Sequence, residues 1–132
     1  DYYASRGLGD VYKRQNHIIP VATRYQSALI DNVHKVQEVF PAETAARLNA
    51  KNLELIEKIS EHTSFIAENA DRLVENRKVA NRIENVREKA IAYHDTVAPM
   101  LESIRYHVDK LELIVDDEMW PLPKYRELLF IR

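Results

Sequence analysis

The 132-residue chain is long enough for one domain with its own core, since 45% of its residues are hydrophobic and 30% are charged. A formal net charge of −2 gives no electrostatic basis for binding nucleic acid, and no apolar run is long enough to cross a membrane. The absence of cysteine excludes disulfides and zinc–thiolate sites and leaves the compartment undecided. Because nothing in the sequence suggests export, the cytoplasm is the default expectation for its location.

The first fifteen residues, DYYASRGLGDVYKRQ, hold both glycines of the chain. Within them, SRGLGDVYKRQ resembles the translated adapter sequence found at the ends of truncated reading frames. We therefore expect residues 1–15 to be a non-native or disordered leader and residues 16–132 to be the domain. On this interpretation, removing the leader leaves the thermal midpoint nearly unchanged.

Two helices are predicted next, on either side of Pro41. The first begins near Pro20, which suits a first helical position, and ends before Pro41. Its apolar stripe follows spacings of three and four: Ala22, Tyr25, Leu29, Asn32, Val36 and Val39. The second runs from about Pro41 to Lys78, with a strict heptad stripe of Leu48, Asn52, Leu55, Ile59, His62, Ile66, Asn69 and Leu73.

A third helix is predicted after ENRKVANR, and it carries Pro99 in its interior. Its stripe keeps one phase across the proline: Ile83, Val86, Ala90, Tyr93, Val97, Met100, Ile104, His107, Leu111 and Ile114. The unbroken phase favours a kinked continuous helix, and a break into four or more helices is the alternative. Polar residues on the stripes, including His107, need partners once buried or must lie at the solvent edge.

The C-terminal stretch combines an acidic helix end with a stiff corner. Asp116, Asp117 and Glu118 put three carboxylates where a helix already carries partial negative charge. The following Trp-Pro-Leu-Pro sequence, residues 120–123, cannot continue a helix. A short amphipathic helix is predicted after it, and we expect this tail to fold back onto the other helices with Trp120 buried.

The predicted fold is therefore all-α: an antiparallel bundle of three long helices, the third kinked at Pro99, with a short C-terminal helix after the corner. The near-heptad spacing predicts crossing angles of roughly 20° and knobs-into-holes packing.

No residue is predicted to be catalytic, cofactor-binding or metal-ligating. The five histidines lack metal-ligand spacing, and the basic residues Arg77, Lys78 and Arg82 are better explained as a solvated helix face than as a phosphate site. The residues expected to matter are structural: Trp120, Pro121, Pro123, Tyr125, Leu128, Pro99 and His107.

Beyond periodicity, DKLELIVDDEMWPLPKYRELLF resembles the C-terminal end of bacterial type III glutamine synthetases. NHIIPVATRYQ, ISEHTSFI and ENRKVANRIE are also similar to that family, so the resemblance covers residues 16–132. It implies a parent enzyme that ligates ammonia to glutamate with ATP and Mg²⁺ or Mn²⁺, and that forms homo-oligomers. No functional residue of the family can be carried over to this stretch, because none of its catalytic motifs occurs here.

Two functions remain open at this point. The resemblance implies a non-catalytic helical C-terminal domain that contacts the catalytic domain of its own chain and neighbouring subunits. The apolar stripes alone are equally compatible with a free-standing helical module that binds a partner helix.

Overall fold

The computed structural model describes the backbone of residues 2–119 and the side chains of residues 7–115. Every regular element of residues 2–119 is helical, which confirms the all-α class. In chain order the elements are α1 (Tyr2–Val39), α2 (Ala42–Asn81), α3 (Val86–Ala92), a π-helical turn (Tyr93–Val97) and α4 (Ala98–Met119).

Helix α1 begins far upstream of the predicted start. It passes through Pro20, which lies exposed inside the helix, so the predicted start near Pro20 is wrong. An interior proline lacks the N–H of a helical hydrogen bond and costs about 3 kcal/mol, a cost that packing along a 38-residue helix offsets. Residues 2–15 are helical, with Val11 only 2% exposed in the core, whereas a leader outside the fold was expected. Their non-native origin stays a prediction.

The first two helices are separated at Pro41, as the sequence indicates. Pro41 has extended backbone angles, and its carbonyl accepts the first helical hydrogen bond of α2 from the Ala45 N–H at 2.9 Å. Glu43 lies in the first turn, where a carboxylate favours the positive end of the helix dipole. The predicted beginning of the second helix therefore matches α2 closely, while α2 extends three residues past Lys78.

The region predicted as one kinked third helix is divided at a π-helical turn. Asn85 caps α3 by accepting a hydrogen bond from the Glu88 N–H at 3.0 Å. The π-helical turn begins directly after the seven residues of α3, and the N–H of Ala98 donates to the carbonyl of Tyr93, five residues earlier. Pro99 follows this wide turn and cannot donate to the Asp95 carbonyl one helical turn earlier. The predicted kink at Pro99 stays a prediction.

Side-chain contacts show that α1 and α2 run in opposite directions. The Gln26 side-chain amide donates to the Ile56 carbonyl at 3.0 Å, and the Asn49 side-chain amide donates to the Val33 carbonyl at 3.2 Å. Val33, which follows Gln26 in α1, therefore contacts Asn49, which precedes Ile56 in α2. The short connection at Pro41 is compatible with this reversal.

Helix α4 lies alongside both of the others. Against α2, His62 meets His107 and the Asn76 amide donates to the Thr96 carbonyl at 2.9 Å, so these two helices also run in opposite directions. Against α1 the direction is the same, because Gly7 is close to Leu101 whereas residue 14 of α1 pairs with residues 109 and 112 of α4.

One apolar cluster joins the helices, and its members can be compared with the apolar stripes predicted from the sequence. On α2, Ile59, Ile66 and Leu73 are buried as predicted, and on α1 so are Ala22, Tyr25 and Leu29. The π-helical turn contributes Val97, and α4 contributes Leu101, Ile104, Val108, Leu111 and Val115.

Near the connection between α1 and α2, the predicted stripes do not match the residues that are buried. Val33 is buried where Asn32 was expected, because the stripe of α1 continues in steps of four, as an unsupercoiled helix requires. Val39 and Leu48 are exposed, at 74% and 45%, and Asn49 is buried instead of Leu48. The predicted strict heptad of the second helix therefore holds from Asn52 to Leu73, where every member is buried or half-buried, and fails at Leu48.

Removing residues 1–15 is now expected to lower the free energy of unfolding. Burial of a valine side chain contributes about 1.5 to 3 kcal/mol, and the deletion removes Val11 together with the Arg14 ion pairs. Urea denaturation followed by circular dichroism measures the change, with Val11→Ala lowering the midpoint and its exposed neighbour Tyr12→Ala serving as the control. Equal stability of the whole chain and of residues 16–132 would instead support a leader that is foreign to the domain.

Candidate functional site

The most unusual contact in the described part of the chain joins two histidines on different helices. The Nδ1 atoms of His62 on α2 and His107 on α4 lie 2.7 Å apart, and the ring centroids are 5.0 Å apart. A neutral imidazole has one N–H and one acceptor nitrogen, so one Nδ1 must donate while the other accepts. If both rings were protonated, each Nδ1 would carry a hydrogen and neither could accept the hydrogen bond. The contact therefore requires at least one neutral ring.

Aromatic and charged groups surround the pair. Phe65 stacks on the His107 ring at a centroid distance of 3.9 Å, and Tyr106 meets the same ring edge-on at 5.3 Å. Burial lowers the pKa of His107. Burial also lowers the pKa of His62, as do the charges of His107, Lys110 and Lys58, and the Glu61 carboxylate opposes them.

A second polar contact lies about three to four helical turns away, at the π-helical turn. Asn76 of α2 donates to the Thr96 carbonyl at 2.9 Å, and its amide nitrogen is 4.0 Å from the Met100 sulfur. The Asn76 amide therefore attaches α2 to the irregular backbone before Pro99. The Ser103 hydroxyl donates to the carbonyl of Pro99 itself at 3.1 Å.

An ion-pair cluster links α1 to α4 on the outside of the core. Arg14 binds Asp109 and Glu112, with the Nε–Oε1 distance to Glu112 being 2.9 Å. Hydrogen bonds to Glu112 and then Asp109 are the main causes that raise the pKa of Arg14, so its charge is retained at any ordinary pH. Sequence reasoning missed this cluster because residues 1–15 had been excluded from the domain.

The sequence-predicted structural residues fall into two groups. His107 and Pro99 lie within the described part, at the histidine pair and after the π-helical turn respectively. Trp120, Pro121, Pro123, Tyr125 and Leu128 lie outside the described residues.

The basic residues weighed as a phosphate site differ in burial and in their surroundings. Lys78 is exposed and lies 3.8 Å from Glu75, and Arg82 is exposed at the end of α2. Arg77 is partly buried in a groove between α1 and α2.

Residues 7–115 bring together no group of three or more His, Cys, Asp or Glu side chains that could hold a metal ion. Among the described helices, none is both long enough and apolar enough to cross a membrane. Among the described residues, histidine, asparagine and arginine side chains make polar contacts between the helices.

Comparison with known proteins identifies the chain. No family model matches it. It is 50% identical to a protein named glutamine synthetase from Bacteroides fragilis (strain YCH46), over 128 residues and 97% of the chain. The chain is a segment of a glutamine synthetase. A second relative, from Dictyostelium discoideum, is 23% identical over 87% of the chain and is named type-3 glutamine synthetase, in agreement with the type III resemblance.

This glutamine synthetase segment is a small part of its relatives. It spans 17% of the length of the Bacteroides protein and 16% of the Dictyostelium protein. The first match also reaches into residues 1–15, since it takes in 128 of the 132 residues.

The histidine pair makes the stability of the segment dependent on pH. The folded-state pKa values of both rings lie below the unfolded value of about 6.5, so the unfolded chain takes up protons first as the pH falls. The stabilising effect of the neutral pair is thus complete above about pH 6.5 and is lost as the pH falls through the folded-state values. Urea midpoints between about pH 7.5 and 5.5 measure the loss.

His107→Gln should weaken this pH dependence because it removes one titrating ring from the contact. The matched control is His94→Gln, since the His94 side chain is 87% exposed and makes no contact with the pair. An unchanged pH dependence in His107→Gln would show that the His62–His107 contact does not govern it.

Proposed function

We propose that residues 16–132 form the non-catalytic, helical C-terminal domain of a type III glutamine synthetase, with a role in holding the enzyme together. The observation that carries the proposal is the 50% identity over nearly the whole chain to a protein of which the chain is only 17%. The stretch of this chain that matches the relative consists mainly of long helices. We therefore propose that this helical segment contacts the remainder of the enzyme.

For the whole protein we propose the reaction of its family, the ATP-dependent ligation of ammonia to glutamate with Mg²⁺ or Mn²⁺. The nucleotide and metal ions would bind in the catalytic domain, upstream of this segment. Within the segment, we propose an antiparallel bundle kinked at Pro99. A cytoplasmic location, the sequence-based expectation, stays part of the proposal.

Exposed apolar side chains support a contact role. Val86 is 83% exposed, and Val79 and Ile91 are at least half exposed. Val86 lines a groove of about 530 Å³ at the α3 end of the fold, together with Lys89, Ala90, Tyr93, Val97 and Leu101. Large exposed apolar side chains grouped at one end of a fold are typical of a surface that is covered in the complete protein. The proposed occupants are the catalytic domain and a neighbouring subunit.

The experiment introduces charge into this surface of the full-length enzyme. Val86→Asp together with Ile91→Asp should shift the oligomer to smaller species in size-exclusion chromatography, because burying unpaired carboxylates opposes assembly. The isolated segment with the same substitutions should remain helical by circular dichroism, since both side chains are exposed there.

The control is Ser64→Asp, which adds a carboxylate at an exposed polar position of α2 away from the groove. If the groove variant assembles and turns over substrate as the control does, the proposed contact role of this surface is wrong.

A further inference from the structure

Helix α3 carries apolar side chains but buries none of them. Val86 and Ile91 are 83% and 50% exposed, and no residue of Val86–Ala92 is buried. Among the described elements, only α2 and the π-helical turn contact α3. Isolated helices shorter than about 12 residues are marginal in water, and α3 has seven residues. Helix α3 therefore needs a further packing partner.

The groove at the α3 end lies in line with α1. Leu101, one of its lining residues, is beside Gly7 of α1, and α1 runs in the same direction as α4. Val86, Ala90 and Val97 line the same groove at earlier positions along the chain. Among the described residues, α1 contacts α2 and α4 but neither α3 nor the π-helical turn. The groove is thus open at the position that α1 would take if it extended further upstream.

The length of such an extension follows from the spacing of residues along a helix. Val86 lies roughly 22 Å before Leu101 along α3 and α4, at about 1.5 Å per residue. Tyr2, at the beginning of α1, lies only about 8 Å before Gly7. A helix parallel to α3 would therefore need about ten residues upstream of Tyr2 to reach the level of Val86. The chain is only 17% of the Bacteroides relative, so most of the full-length enzyme lies outside this segment.

We propose that the residues immediately preceding this segment in the full-length enzyme continue α1 as a helix and pack against the groove at the α3 end. Their apolar side chains cover Val86, Ala90 and Tyr93, so that α3 is held between this extension and α2. The inference rests on the proposed function in one respect, which is that the catalytic part of the enzyme lies upstream of the segment. It identifies the occupant of the groove as one stretch of the same chain.

Lys89 adds a chemical requirement for the extension. Its side chain is half-buried in the wall of the groove, and it makes no ion pair among the described residues. None of the described lining residues is a carboxylate. Covering the groove removes the ammonium group from water, which is favourable only if an anion pairs with it. The extension should therefore carry an Asp or Glu at the level of Lys89, among apolar residues spaced three and four apart.

A neighbouring subunit is the competing occupant of the groove. The position of the groove favours the extension, because the axis of α1, followed upstream, leads to it. The extension is also tethered to α1, so its docking avoids the entropy cost of association between two molecules.

The test places a photo-crosslinking residue in the groove of the full-length enzyme, as Ala90→p-benzoylphenylalanine. Ala90 is exposed, so the substitution should leave the fold intact. After irradiation, mass spectrometry should find position 90 joined to residues within about fifteen positions upstream of Tyr2, and a denaturing gel should show single subunits. The control carries the same residue at Ser64, an exposed position of α2 away from the groove, and should not crosslink to that stretch.

Amide hydrogen exchange in α3 gives a readout that needs no crosslinker. In the unmodified full-length enzyme, the amides of α3 should exchange slowly, because the extension covers the helix. Lys89→Glu should raise their exchange rates severalfold more than Lys89→Gln, since the reversed charge repels the expected carboxylate and the neutral amide does not. Equal exchange rates in the two variants would contradict a carboxylate at this position.

The inference fails if position 90 does not crosslink to the upstream stretch. A crosslink to a neighbouring subunit, seen as a band of two subunits, or to a distant part of the same chain would identify a different occupant and leave the proposed contact role intact. No crosslink from position 90, together with fast exchange throughout α3, would show that the groove is uncovered in the enzyme and would contradict the contact role of this surface as well.

Discussion

The shared burial of apolar stripes on α1, α2 and α4 is the constraint on which the rest of the structure depends. Ile59 and Ile66 of α2 are fully buried in one cluster with Ile104 and Leu111 of α4 and with Ala22 of α1. Each helix is apolar on one side, so none can remove that side from water by itself. The polar contacts, from the histidine pair to the Arg14 ion pairs, lie beside this cluster and are positioned by it.

The prolines show how strongly the shared core controls local structure. Pro41 separates two helices, where its backbone preference and the packing agree. Pro20 lies inside α1, because the residues before it, including Val11 and Ile18, contribute to the core and favour continuing the helix. Before Pro99 the chain forms a π-helical turn, and Val97 and Leu101 on either side of the proline are both buried. The helices therefore continue past a proline, with the loss of a backbone hydrogen bond, where the residues on both sides of it are buried in the core.

Periodicity predicted the helical class and the middle of the core, because Ile59, Ile66 and Leu73 repeat every seven residues. It failed where the stripe departs from seven, so that Asn49 was missed and Leu48 was wrongly placed in the core. The meeting of His62 and His107 was beyond a single sequence, since the register between two helices is set by packing over their whole length. The family was recognised from specific residue strings, which carry information that hydrophobic spacing does not.

The central claim is that α1, α2 and α4 unfold as one unit around the shared cluster, and Ile66→Ala tests it most directly. Its side chain is fully buried, so the substitution should lower the free energy of unfolding by about 2 to 5 kcal/mol. Amide hydrogen exchange in all three helices should lose protection by the same amount. Leu113→Ala, at an exposed leucine of α4, should change stability by no more than about 0.5 kcal/mol. Loss of protection confined to α2, with α1 and α4 unchanged, would contradict the account.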